Sequence, residues 1–177
     1  MSKSSADRYA VLVIMGVSGC GKTTIAKLLS DELGWSYRDG DEFHPKSNVE
    51  KMHSGTPLTD EDRWPWLKAI AAWIDEKRQA GAHGIVTCSA LKKSYRDILI
   101  GPRKDVGLIY LKGDEDLIAQ RLAKRKDHFM PKGLLRSQLQ TLQEPGPEEH
   151  PITVSIEPTP EEIAATILKE LHSQPSS

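Results

Sequence analysis

The octapeptide Gly16-Val17-Ser18-Gly19-Cys20-Gly21-Lys22-Thr23 restricts the possible folds more than any other stretch of this chain. It satisfies the phosphate-loop pattern GxxxxGK[ST] at each fixed position. Glycines let such a backbone curl until several N–H groups face one anion. A helix beginning at the loop adds the positive end of its dipole. Lys22 then reaches the outer phosphates, and the Thr23 hydroxyl joins the shell of a magnesium ion. Gly16 to Thr23, with Thr24 directly behind, is therefore expected to hold the phosphates of a nucleotide. The competing reading is a glycine-rich strand-to-helix turn with an incidental lysine, and the flanks oppose it. Tyr9 to Met15 is a continuous apolar run with β-branched members, as in a strand buried on both faces. Ile25, Leu28, Leu29 and Leu33 line one face of a helix that stops at Gly34.

The same alternation continues along the chain. A short extended piece, Trp35 to Arg38, leads into Asp39-Gly40-Asp41. Leu67, Ile70, Ala71 and Ile74 stripe a helix ended near Gly81 and Gly84. Ile85 to Cys88 and Val106 to Leu111 read as core strands, separated by a helix from about Ala90 that closes at Gly101-Pro102. Further helices are expected over 114–124 and around Leu135, Leu139 and Leu142, the second broken by Glu144-Pro145-Gly146-Pro147. A last strand at Ile152 to Ile156 precedes a helix striped by Ile163, Ala164, Ile167, Leu168 and Leu171. Strands and helices in alternation point to an α/β fold with a parallel sheet, and 177 residues suit one domain.

Composition removes several function classes. With 24 Lys plus Arg against 25 Asp plus Glu, the formal charge is −1, which opposes the broad basic surface of a nucleic-acid binder. Cys20 and Cys88 form no CxxC pair, so structural zinc has no support. The N-terminal residues are polar, and the longest apolar run is too short to span a bilayer. A soluble, cytoplasmic protein without a membrane partner is expected.

A phosphate loop does not by itself separate a kinase from an ATPase or a GTPase switch. No guanine-reading NKxD occurs, and the strand Ile85 to Cys88 runs into Cys88-Ser89 without an acid to steady magnesium. Asp39 and Asp41 are the available carboxylates. Positions i and i+2 of an extended segment share one side, which at the carboxyl end of a parallel strand opens onto the phosphate site. One carboxylate can steady magnesium while the other takes the proton of an attacking hydroxyl. The alternative is an Asp-Gly turn whose carboxylates satisfy local amides.

Further residues extend this set in one collinear order: His44-Pro45, Lys51-Met52, Gly55, Pro57 to Arg63, Trp66-Leu67, Cys88 to Lys93, Tyr95-Arg96-Asp97, Tyr110 to Gly113 and Leu142 to Pro145. With the phosphate loop and Asp39-Gly40-Asp41, the stretch from Val13 to Pro145 resembles the gluconate kinases of the shikimate-kinase-like, nucleoside-monophosphate-kinase group. The resemblance implies transfer of phosphate from ATP to the 6-hydroxyl of D-gluconate, with magnesium. It implies a five-stranded parallel sheet flanked by helices, an acceptor-binding helical segment over about 42–80, a lid over about 125–135, and a homodimer.

Roles follow residue by residue. Asp41 is expected to be the catalytic carboxylate and Asp39 the magnesium partner with Thr23, although the two are exchangeable. Lys22 serves both nucleotide binding and catalysis. His44 can hydrogen-bond a polyol hydroxyl, or else cap the helix begun near Pro45. In related kinases an arginine near Arg63 grips the acceptor carboxylate, and a guanidinium fork suits that planar anion; a surface ion-pair cluster with Asp60 and Asp62 is the alternative. Ser89 is placed to cap a helix. Lys92 and Arg96, at i and i+4, then share a face and complete a second anion site, unless they form an ordinary solvated face. Arg121 and Arg125 have the same spacing. In relatives an arginine at the position of Arg121 meets the nucleotide, and lid closure carries Arg125 over the phosphates and excludes water.

Overall fold

The computed structural model describes residues 8–124 and 134–173. In chain order its elements are β1 (Val11–Met15), α1 (Lys22–Leu33), β2 (Ser36–Asp39), α2 (Lys46–His53), α3 (Asp60–Ala80), β3 (Gly84–Thr87), α4 (Lys93–Leu99), β4 (Val106–Lys112), α5 (Glu115–Ala123), α6 (Leu134–Thr141), β5 (Ile152–Ser155) and α7 (Pro160–Ser173). Short 3-10 turns occupy Gly40–Phe43 and Pro147–Glu149. The strands form the expected five-stranded sheet in the order β2-β3-β1-β4-β5, and every pairing is parallel.

β1 lies at the centre because its run of apolar residues can be covered from both sides. Leu12 and Ile14 point into one core layer with Ile25, Leu29, Ile85, Ile109, Ile163 and Ile167, so α1 and α7 cover that face. Val11, Val13 and Met15 point into the opposite layer with Trp66, Leu67, Ile70, Val86 and Leu99, beneath α3 and α4. The alternation of side chains along a strand thus assigns each residue of β1 to a layer. All five of them are inaccessible to solvent. Register with the neighbouring strands sets Ile14 beside Thr87 and Met15 beside Tyr110. The loop after β1 therefore emerges at the carboxyl edge of the sheet, where ligands of open α/β sheets bind.

The helix expected from about Ala90 begins later. Ala90 has φ +46°, and Lys92 is the residue that precedes the first turn of α4. Ser89 is therefore not a helix cap. Its carbonyl instead accepts the Gly16 N–H at 3.4 Å, tying this segment to the start of the phosphate loop.

Away from the site, Asp75 of α3 joins Arg103 at 2.8 and 2.9 Å and Arg78 at 3.0 Å. Arg78 also donates to Asp105 at 2.7 Å, which fastens α3 to the turn entering β4. The Arg103 hydrogen bonds, ahead of those from Arg78, hold the Asp75 carboxyl down at about 2. A carboxylate depressed on folding stabilises the protein above its ordinary value of 3.8, and that contribution fades as pH falls toward 2. Asp75→Asn is expected to cost about 0.5–1 kcal/mol at neutral pH, the scale of a partly exposed pair. Urea midpoints of variant and parent, measured across acidic pH, converge as the pH approaches 2.

Candidate active site

The loop from Gly16 to Gly21 is held from three sides. Gly19, at φ +86°, leaves a space that a Cβ could not share with Leu122, only 2.6 Å away, so α5 rests directly on the loop. Ser18 donates its N–H to the Gln138 side-chain oxygen at 2.7 Å, and the Gln138 amide returns a hydrogen bond to the Ser18 hydroxyl at 3.0 Å. Lys22 lies folded over the loop, donating to the carbonyls of Gly16 and Val17 at 2.9 and 3.1 Å. Cys20 is buried among these residues, and burial raises its thiol pKa. Thr23 and Thr24 are exposed on the first turn of α1.

The two aspartates stand beside this loop but do not share an extended segment. Asp39 ends β2 opposite Thr87, whereas Asp41 lies within the 3-10 turn. One oxygen of Asp39 accepts the Asp41 N–H at 2.9 Å and the Thr87 hydroxyl at 3.4 Å. The local-amide reading thus holds for Asp39. The turn is fixed at Gly40, where a Cβ would fall 2.0 Å from the Thr87 carbonyl oxygen. Trp66 donates its indole N–H to the Gly40 carbonyl at 2.8 Å. The Asp41 carboxylate stays 84% exposed at the rim. Protein crowding around it, then the charge of Asp39, raises its pKa, while Lys22 opposes them. Water on the open side screens this effect, so the direction matters more than its extent. Oxygen atoms alone, from Asp39, Asp41 and Thr23, offer the hard donors that magnesium takes, and one or two protein ligands suffice beside phosphate and water.

His44 follows the turn with its side chain only 4% exposed. Its ring stacks on Trp66 at 4.2 Å and 14°. Its Nδ1 lies 3.2 Å from the Asn48 amide nitrogen, and its Nε2 lies 3.9 Å from the Asp41 carboxylate. Burial, and then the charge of Arg63, bring the His44 pKa down to about 4, so the ring is neutral at physiological pH. The residue that precedes the first turn of α2 is Pro45, so His44 does not cap that helix.

A second polar cluster joins α3 to α4. Asp60 accepts hydrogen bonds from the Tyr95 hydroxyl and from Lys92 at 3.2 and 3.3 Å. Arg63 lies 3.9 Å from the same carboxylate and donates to Leu58 O and the Tyr95 hydroxyl at 2.8 and 3.3 Å. Arg63 and Lys92 thus come together as expected, around an acidic residue.

Arg96 does not join them. Its side chain is 2% exposed. Its guanidinium bonds both Glu149 oxygens at 2.7 and 3.2 Å, the carbonyls of Ala90 and Leu91, and Gln143 O. Each nitrogen is engaged within the protein, so Arg96 has no donor left for an acceptor anion. It clamps α4 to the segment before β5. Because α4 starts at Lys93, the expected face shared with Lys92 is not a binding face. Arg121 is half-buried, and its guanidinium donates to Ile156 O. Its charge is felt at Cys20 under the loop. Arg125 and most of the expected lid lie outside the described residues.

A phosphate loop beside two carboxylates, with Arg63 and Lys92 gathered on the far side of His44, defines a P-loop phosphotransferase acting on a small acceptor. Residues 11–145 match the AAA domain family. The chain is 45% identical over 163 residues to a gluconokinase of Gluconobacter oxydans, with 92% of each chain covered. It is 44% identical to a thermoresistant gluconokinase of Escherichia coli, over 87% of each. The crystal structure of a gluconokinase from Sinorhizobium meliloti superposes with a TM-score of 0.83 at 39% identity, over 92% of this chain and 91% of that one. A shikimate kinase from Aquifex aeolicus, 17% identical with a TM-score of 0.58, shares the fold. The chain belongs to the gluconokinase family.

Asn48, Thr87 and Gln138 had no motif to mark them, and the motifs that contain Asp60 and Tyr95 did not show that the two meet. Each role became visible only through a contact across at least one other element, apart from Asn48, which sits one helical turn beyond His44. The placement of Arg96 gives a test. Arg96→Ala empties a buried guanidinium site and leaves the partly exposed Glu149 without its cation, and breaking a largely buried pair costs up to about 3–5 kcal/mol. Urea denaturation should register that loss. Parental stability with weakened acceptor binding would return Arg96 to the anion site.

Proposed function

We propose that the protein transfers the γ-phosphoryl group of ATP to the 6-hydroxyl of D-gluconate, giving ADP and 6-phospho-D-gluconate. The observation that carries this reading is 45% identity to a gluconokinase over 92% of both chains, joined to a site of the matching chemistry. The loop amides and the dipole of α1 receive the phosphates. Lys22 leaves the Gly16 and Val17 carbonyls, which hold it without an opposing charge, and pairs with the outer phosphates. Thr23 and Asp39 would hold magnesium, which supplies charge neutralisation on the phosphate oxygens.

Asp41 takes the proton from the attacking hydroxyl. Burial and the charge of Asp39 raise its pKa, which makes it a better base than an ordinary carboxylate. Arg63 and Lys92 receive the gluconate carboxylate in place of Asp60, and His44 meets a hydroxyl of the chain. The segment from the 3-10 turn through α3 is then the acceptor-binding part of one kinase domain, and Arg121 with Arg125 belongs to the nucleotide side. A cytoplasmic homodimer completes the reading, taken from the family.

Asp41→Asn is expected to lower kcat by at least about a hundredfold, the scale of a lost general base, with ATP binding within a few-fold of parent. ADP release should be fast with gluconate and negligible with shikimate, adenylylsulfate or a nucleoside monophosphate. Near-normal turnover by the variant removes Asp41 as base, and preference for another acceptor in the panel removes gluconate. The protein should sediment with the mass of a dimer; a monomer mass removes that assignment.

A further inference from the structure

Beside His44 lies one buried amide, Asn48, whose orientation has only one solution. Asn48 is 2% exposed in the first turns of α2. Its amide nitrogen lies 2.8 Å from the carbonyl oxygen of Asp62. A carbonyl can only accept, so the NH2 group must face it, and the amide cannot be turned over. The same nitrogen lies 3.2 Å from His44 Nδ1. With one amide proton on Asp62 O, the other is directed at the imidazole, and Nδ1 can only be the unprotonated, accepting nitrogen.

A neutral imidazole that lacks a proton on Nδ1 carries it on Nε2. Nε2 is the nitrogen that faces Asp41, at 3.9 Å. That separation is too long for a hydrogen bond. It admits a hydroxyl oxygen at about 2.8 Å from each group, accepting from Nε2–H and donating to the carboxylate. We propose that Asn48 is a positioning residue that fixes His44 as the Nε2–H tautomer, so that His44 and Asp41 together orient the acceptor hydroxyl.

The supports of this pair are equally defined. Stacking on Trp66 sets the plane of the imidazole, and Trp66 is itself tied to Gly40 O between the two aspartates. Asp62 is held by Lys51 at 2.8 Å to both oxygens and by the Thr59 N–H at 2.9 Å. Its backbone carbonyl is therefore a fixed reference point for Asn48. A protonated imidazole would set an N–H against the Asn48 amide, so the amide favours the neutral ring, in the same direction as burial and the nearby Arg63 charge.

Two readouts test the inference. In long-range proton–nitrogen correlation spectra of the labelled full chain at neutral pH, with His44→Gln assigning the signals, His44 should show a protonated Nε2 and a bare Nδ1. A dominant Nδ1–H form, a cation or an even mixture overturns the proposal, whether or not any variant folds. Asn48→Asp replaces the donor with an acceptor of nearly the same shape and should move the proton to Nδ1 or charge the ring. It should also raise the gluconate KM about tenfold, as expected for one lost hydrogen bond, with the ATP KM unchanged. The parental tautomer or an unchanged gluconate KM in Asn48→Asp overturns the proposal.

The kinetic arm rests on gluconate being the acceptor, while the spectra need no acceptor. A chain that does not phosphorylate gluconate yet shows the Nε2–H form therefore loses the proposed reaction and keeps the tautomer assignment.

Discussion

The backbone at Gly40 crosses the Thr87 carbonyl so closely that a Cβ would fall 2.0 Å from its oxygen. That approach joins the end of β2 to the end of β3, and the geometry of Asp39, Asp41 and His44 depends on it. With no side chain in the way, the chain can fold into a 3-10 turn immediately after Asp39. Asp39 then caps the Asp41 N–H, and the Thr87 hydroxyl steadies the same oxygen. The Gly40 carbonyl is turned toward Trp66, whose ring supports His44. Any residue larger than glycine would separate the strand ends and disturb Asp39, Asp41 and His44 at once. Destabilisation and loss of chemistry would be inseparable at this position, unlike at Arg96, where the contacts serve packing alone.

The distribution of cations follows a related division. Arg96, Arg103 and Arg78 are engaged with carboxylates or carbonyls in contacts that hold elements together. Lys22, Arg63 and Lys92 are engaged too, but by partners that a ligand can replace. Loop carbonyls hold Lys22, and Asp60 stands between Lys92 and Arg63. Exchanging the Asp60 carboxylate for that of an acceptor trades one ion pair for another of similar kind. Such an exchange adds little affinity, because the cations are paired before and after it. In the proposed reaction, selectivity would then rest on geometry and on hydroxyl contacts more than on net charge. This also accounts for a chain with a formal charge of −1 handling two anions.

Much of the architecture was legible in the sequence for physical reasons. The apolar run at β1 has no polar position, so it had to be covered on both faces, and helical stripes were available on either side. The phosphate loop carried its own geometry. Asp39 and Asp41 were identified by position, yet the premise of a shared extended segment failed, because Gly40 permits a turn that a strand pattern does not reveal. Arg96 failed for a similar reason. Spacing of i and i+4 places residues on one helix face, but does not say whether that face meets solvent or protein. The positive φ at Ala90 delayed α4 to Lys93, and Glu149, distant in sequence, claimed the guanidinium. Asn48 was invisible for the converse reason: its role consists of partners that only tertiary packing supplies, and the same holds for the Lys92 and Tyr95 partners of Asp60.

The two cysteines show how burial maintains the character of the phosphate site. Cys20 lies within the loop and Cys88 at the end of β3, beside the strand end that carries Asp39. A thiolate at either position would place a negative charge next to bound phosphates. Desolvation pushes the Cys88 thiol up to about 12 and raises Cys20 as well, against the pull of Lys22. Both therefore remain small, neutral groups at physiological pH. The loop can then present its amides and Lys22 without an opposing charge beneath them. Lys22 instead acts on the carboxylate of Asp41, whose pKa it lowers against burial and the charge of Asp39.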